Sequence, residues 1–270
     1  LDTHIKLGCL LIDLDELEEA SKFLDGARDL DPENPIVSLH LAELRIHEMD
    51  YAEAVSLLRA ALALLESGEG EAVSRGLYEA PLRDVHCKAQ LTANIYSLLG
   101  VAQFRANPTA PDVALRVLEK GVARHPSSVY ILLCQGEILS QVGEVVRALG
   151  CFQRAASVEE GGDSSSSNPL PFINAARTYQ QLSQPVAALR HIALALRRDS
   201  FLPMTFVDLA QIFVHLGRTQ EAVLALDHAL VLSRHCSEIR DVLTARTIAQ
   251  IQLELETQEG ICRPKCNAAV

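Results

Sequence analysis

The chain has 270 residues, 49% of them apolar but only 4% aromatic, with no Trp. Ala and Leu must therefore carry the packing, as expected where helices approach closely over small side chains. A formal charge of −11 without any basic stripe argues against nucleic acid as a main partner.

Leu7, Gly8, Leu11, Ala20, Leu24, Ala27 and Pro32 mark a first helical hairpin over 1–34, with its second helix at Ala20 to Leu30. Asp31-Pro32 closes that helix, because proline disfavours helical backbone in the residue before it. Pro35 then sits in the first turn of the next helix, where its missing N–H costs nothing. Residues 36–47 and 51–65 make the second hairpin (35–66), with Leu41, Ala42, Ala54, Leu58 and Ala61. Ala20 and Ala54 stand 34 residues apart, as do Leu24 and Leu58.

The register then breaks. Ala54 and its counterpart Ala114 are 60 residues apart, one period plus an insertion of 26. The insertion is placed at 67–85, opened by Ser67-Gly68-Glu69-Gly70 and interrupted by Pro81, with a short helix near 71–79. The third unit (86–126) carries Tyr96, Leu99, Gly100, Ala114, Leu118, Gly121 and Pro126. Its inner turn, Asn107 to Asp112, is two residues longer than the norm, with Asp112 as the expected N-cap. Gly136, Leu139, Ala148, Phe152 and Ala155 mark the fourth unit (127–160). A Gly/Ser tract at 161–167, too polar to bury, separates it from the fifth. The fifth unit (168–201) has Ala176, Tyr179, Ala188, Ile192 and Ala195, and the sixth (202–235) has Ala210, Phe213, Ala222, Leu226 and Ala229. A solenoid needs a polar outer face at its end, so 237–258 reads as a capping helix. Its apolar side is expected from Val242, Ile248, Ile251 and Leu255, and 259–270 reads as a disordered tail.

A period of 34 with small residues at two helix crossings means stacked helical hairpins. These marks resemble the tetratricopeptide repeat over about 1–66, 86–160 and 168–258. The departures are His4 where Trp is usual, Arg45 at an aromatic position and Gly121 in place of Ala. The resemblance implies an all-α fold, a right-handed superhelix of about six hairpins with a C-terminal capping helix. It also implies a non-catalytic binding surface. More narrowly, Ala222 through Ser233-Arg234 to Ala249-Gln250-Ile251-Gln252 is similar to the end of the preprotein receptors of the mitochondrial outer membrane. Gly136-Glu137-Ile138-Leu139 followed by Glu159-Glu160 is similar to that family too.

Chemistry is sparse. Seven cysteines without framework spacing suit a reducing, intracellular compartment. Cys262 and Cys266 form a pair without a convincing second pair, so no metal site is expected. Scattered histidines show no Ser or Cys nucleophile with an acidic orienter at a plausible sequence spacing, and no phosphate-binding loop is present, so neither catalysis nor a cofactor is expected. The longest uncharged stretch, Ala89 to Phe104, has 16 residues, short of the ~20 a spanning helix needs. The opening residues do not read as a secretory signal.

In such repeats the first helix of each hairpin, helix A, lines the concave face through positions 2, 5, 9 and 12. The candidate groove residues are Ile5, Leu39, Glu43, Val101, Tyr130, Leu133, Glu137, Ile173, Asn174, Arg177, Met204, Val207, Gln211 and Val214. Tyr130, Leu133, Ile173, Met204, Val207 and Val214 are expected to form one apolar wall, with Arg177 paired to Glu137 or to a ligand carboxylate. That composition suits a helical or extended segment of a partner protein. Chaperone-binding members of the family use Lys, Asn and Arg to clamp a terminal carboxylate. Ile5, Cys9, His40, Asn94 and Leu98 supply no cation at those places, so no such clamp is expected. The sequence thus reads as a cytoplasmic scaffold or adaptor. Its alternatives are a receptor domain at the cytosolic face of the mitochondrial outer membrane, or the substrate-presenting arm of a multi-domain enzyme.

Overall fold

The computed structural model describes residues 1–67, 85–161 and 168–258. The expected helix near 71–79, most of the 161–167 tract and the tail with Cys262 and Cys266 lie outside the described residues. Among the described residues there are thirteen helices and no strand, so the fold is all-α. They are α1 (Asp2–Asp13), α2 (Leu17–Leu30), α3 (Pro35–His47), α4 (Tyr51–Ser67), α5 (Val85–Ala106), α6 (Pro111–Arg124) and α7 (Val129–Val142). There follow α8 (Val145–Gly161), α9 (Leu170–Gln181), α10 (Pro185–Arg198), α11 (Pro203–His215), α12 (Thr219–Leu232) and α13 (Cys236–Gln258). Two compact units divide the chain, Leu1–Cys151 and Phe152 onward, the boundary falling inside α8.

The 34-residue marks are the crossing points of each hairpin. Ala20, Ala54, Ala114, Ala148, Ala188 and Ala222 are all fully buried. At Gly8 an added Cβ would lie 2.6 Å from Leu24 Cγ, and at Gly100 it would lie 2.5 Å from Leu118 Cγ. Only glycine fits those two crossings, because the leucine of helix B fills the space a methyl group would need. Gly121, the departure from Ala in the third unit, has the same cause: a Cβ there would meet Tyr96 Cβ at 2.9 Å. Arg45 also finds its reason, since its guanidinium reaches Glu48 at 2.5 Å and Glu53 at 2.8 Å.

A second recurrence lies in the turn between the helices of a hairpin. Asp15, Met49, Gly143, Ser183 and Gly217 all have left-handed backbone, with φ between 57° and 89°. One residue later, the N–H of Glu16, Asp50, Glu144, Gln184 and Arg218 donates to the carbonyl five residues back, at 2.8 or 2.9 Å. This is the Schellman closure of a helix C-terminus, and it sets the angle at which the next helix leaves. The longer turn before α6 uses a different route.

Some expected boundaries move. Helix α2 starts at Leu17 rather than Ala20. Ala110, not Asp112, is the N-cap of α6, because Pro111 supplies a preset φ at the first helical position. Helix α5 already begins at Val85, so the last part of the insertion is helical. In α13 the packed stripe is Val242, Ala245, Ala249 and Leu253, resting on Val207, Ala210, Leu226 and their neighbours. Ile248, Ile251 and Leu255 are exposed instead. The two stripes are neighbours on one helix, and the one with two alanines permits the closer approach.

Candidate interaction face

Within the first unit the helix-A elements touch in series, α1 with α3, α3 with α5 and α5 with α7. Within the second, α9 touches α11 and α11 touches α13. Each unit therefore has its own row of helix-A faces.

In the first unit, Ile5 and Leu39 are buried within the apolar clusters that join neighbouring hairpins. Leu133 is also buried. Glu43 and Val101 are half-buried, whereas Glu137 and Tyr130 are exposed. In the second unit, Ile173 packs with Phe172 and Ala195, and Val207 packs with Ala222 and Val242. Asn174 and Val214 are half-buried, and Arg177, Met204 and Gln211 are exposed. So Leu133, Ile173 and Val207 do not form an open wall. Helix-A positions serve two ends, and a large aliphatic chain at them gains more from turning onto the next hairpin than from facing water.

The structure also pairs residues that are distant in sequence. Arg177 on α9 binds Asp208 on α11, its Nε donating to both carboxylate oxygens at 3.0 and 3.1 Å. Its second nitrogen adds a contact of 2.9 Å. Asp208 is only 4% exposed. Burial pushes its carboxyl above the usual aspartate value, and Arg177 pulls it partly back. Arg177 is thus matched by Asp208, a residue outside the sequence-based candidates.

The equivalent pair in the first unit is Cys9 on α1 and His40 on α3, again 31 residues apart. The His40 Nδ1 lies 2.7 Å from a Glu43 carboxylate oxygen, to which it donates. Burial alone would lower the pKa of this histidine; the proximity of Cys9 and Glu43 outweighs it and raises the ring to about 10. The Cys9 thiol is half-buried at the edge of the cluster formed by Ile5, Leu24 and Leu41. By contrast, the Cys134 thiol is pushed up to about 12 by burial and by the charge of Glu137, which makes it inert.

Among the described residues no group of His, Cys, Asp and Glu is arranged to hold a metal ion. No helix among them is long and apolar enough to cross a membrane.

Residues 5–69 match the family model of the tetratricopeptide repeat. No curated protein matches the chain by sequence. Its fold is similar to that of yeast Tom70, with a TM-score of 0.73 at 16% identity, over 94% of this chain and 47% of that one. It is also similar to a chain of the Cut9–Hcn1 hetero-tetramer of the APC/C, with a TM-score of 0.62 at 15% identity, over 90% and 42%. PilW, a type IV pilus biogenesis factor, gives a TM-score of 0.61 at 18% identity, over 90% and 97%. The chain therefore spans less than half the length of the first two. Residues 5–69 carry the tetratricopeptide repeat, and the chain has the fold of the tetratricopeptide-repeat proteins.

Proposed function

We propose that the chain is a non-catalytic protein-interaction scaffold that holds a helical or extended segment of a partner on its helix-A faces. The observation that carries this reading is the mixed character of those faces. Tyr130 and Met204 stand 53% and 43% exposed at positions where other large side chains have turned inward. Polar Glu137 and Gln211 lie exposed on the same helices, α7 and α11. Exposed aromatic and thioether groups beside polar ones suit a surface that adapts to a docked segment.

An acidic chaperone tail is a poor candidate for that segment. Arg177 is already bound to Asp208, so a ligand carboxylate would have to displace a buried internal partner.

A second reading comes from the similarity of residues 222–252, on α12 and α13, to the mitochondrial preprotein receptors. It makes the partner an incoming preprotein and the site of action the cytosolic face of the outer membrane. Nothing specific favours the enzyme-arm reading.

The test is co-purification with mass spectrometry, comparing the parent protein with Tyr130→Asp and Met204→Asp. Each exposed side chain can be charged with little effect on folding, and loss of one anchor should weaken binding by ~2 kcal/mol or more. Capture of the same partners in the same amounts by both variants would overturn the groove. Preproteins among the lost partners would select the receptor reading.

A further inference from the structure

We propose that the groove between α4 and α6, on the helix-B side of the first unit, binds an extended acidic segment of a partner protein. Such binding is independent of what the helix-A faces hold.

Charge and shape converge there. The groove has a volume of about 770 Å³, with Tyr96, Leu99 and Gln103 of α5 as its floor. Gln103 and Val113 also line a hollow of about 220 Å³ beside Tyr51 and Val55, so the groove continues along both helices. Arg59 stands on the α4 wall, and Arg116 and Lys120 on the α6 wall, all three exposed. In a chain with a formal charge of −11, three cations lining one groove reverse the sign locally. A fourth, Arg124, is held by Glu66, and the Tyr96 hydroxyl donates to the same carboxylate at 3.0 Å. Among the described residues no carboxylate pairs with Arg59, Arg116 or Lys120. Arg116 uses only its Nε, which donates to the Asp112 carbonyl at 3.2 Å.

The spacing favours a peptide over other anions. Arg116 and Lys120 are one helical turn apart, ~6 Å along the axis. Alternate side chains of an extended strand repeat at ~6.6 Å, so acidic residues at every second position meet them in step. Buried Leu99 and half-buried Leu62 and Val117 line the groove as well, and take the intervening apolar residues. Gln103 favours a peptide too: it is only 8% exposed, and its Oε1 makes no hydrogen bond. Its terminal torsion turns easily and can present that oxygen to a peptide N–H in the groove. A phosphate backbone carries no such donor.

The experiment is fluorescence polarisation of the reduced full chain with a labelled peptide of alternating Glu and Val, its termini blocked. A length of roughly six residues spans α6 from Val113 to Arg124. Saturable binding is expected, about tenfold tighter than that of the same peptide with Gln for Glu. Arg59→Glu and Lys120→Glu should each weaken binding by about tenfold, and Arg197→Glu, an equal change of charge on α10, should not. A peptide with a central photo-crosslinking residue should label α4, α5 or α6 of the parent protein, a result that needs no variant to fold. Absence of saturable binding, labelling elsewhere, or parental affinity in a folded Lys120→Glu chain would overturn the proposal. Equal losses in all three variants, or equally tight binding of a single-stranded oligonucleotide, would do so too, because the groove would then read charge alone. Binding that appears only after deletion of residues 68–84 would make the occupant the chain's own segment, and would also overturn it.

Discussion

The α1–α3 and α9–α11 seams share a repeat register and differ in chemistry. In both, position 9 of one helix A and position 6 of the next stand 31 residues apart. In the second unit the slot holds an exposed guanidinium on a buried carboxylate. In the first it holds His40, whose ring is tied to Glu43 of its own helix at 2.7 Å. The repeat decides which two positions align, through helix packing that leaves little freedom. What passes between them is decided by side-chain type alone. One seam is an ion pair between two helices, and the other carries a titratable imidazole paired within its own helix.

The largest expected effect comes from breaking the second seam unevenly. Arg177→Met leaves the buried Asp208 without its counter-charge and should cost about 3 kcal/mol in urea unfolding. Asp208→Asn leaves instead a half-exposed arginine that water can solvate, and should cost about 1 kcal/mol. Equal losses would mean that the burial of Asp208 is not what makes the pair matter.

The hairpin crossings sharpen the comparison next. Gly100→Ala pushes a methyl group to 2.5 Å from Leu118 Cγ and should cost about 2 kcal/mol, despite alanine's better helix propensity. The reverse change in the second unit, Ala176→Gly, removes a packed methyl group opposite Ile192 and should cost about 1 kcal/mol. A stabilising Gly100→Ala, read by thermal unfolding, would contradict the close approach.

The smallest effect is a difference in pH dependence. Folding raises the His40 pKa, so the folded chain binds this proton more tightly than the unfolded one. The stability contributed is complete below about 6.5 and is lost as pH rises towards about 10. Asp208 is also raised, but from the aspartate range, so the stability linked to its proton is present at the acid end and is lost as pH rises just above that range. In urea unfolding, the advantage of the parent over His40→Asn should shrink by about 1 kcal/mol between neutral pH and pH ~10. Arg177→Met should show no such alkaline slope.

The small residues at the crossings were legible because their burial repeats at a fixed interval: Ala20, Ala54, Ala188 and Ala222 are each placed by a 34-residue period and each fully buried. The left-handed turn position was not legible. Asp15, Met49, Gly143, Ser183 and Gly217 share a conformation but no chemical type, because the closing hydrogen bond is made by the backbone. The apolar side of α13 was misread for a related reason. Ile248 and Ile251 are the more hydrophobic residues, yet Ala245 and Ala249 make the packed stripe, since close approach favours small side chains over large ones.

Of the candidate face, the helix-A positions could be read off, but not which way each side chain turns. Leu133 and Val207 are buried while Tyr130 and Met204 are exposed, although all four lie on helix A of their repeats. That choice depends on how much apolar surface the adjoining hairpin offers at each point, which no local pattern records. By itself, the sequence determined the all-α class, the hairpin period and the crossings, because those follow from repeated local constraints. Only the tertiary structure decided that Arg177 answers to Asp208. That pair joins helices separated by a whole intervening helix, where contact depends on how hairpins stack and not on how any one of them folds.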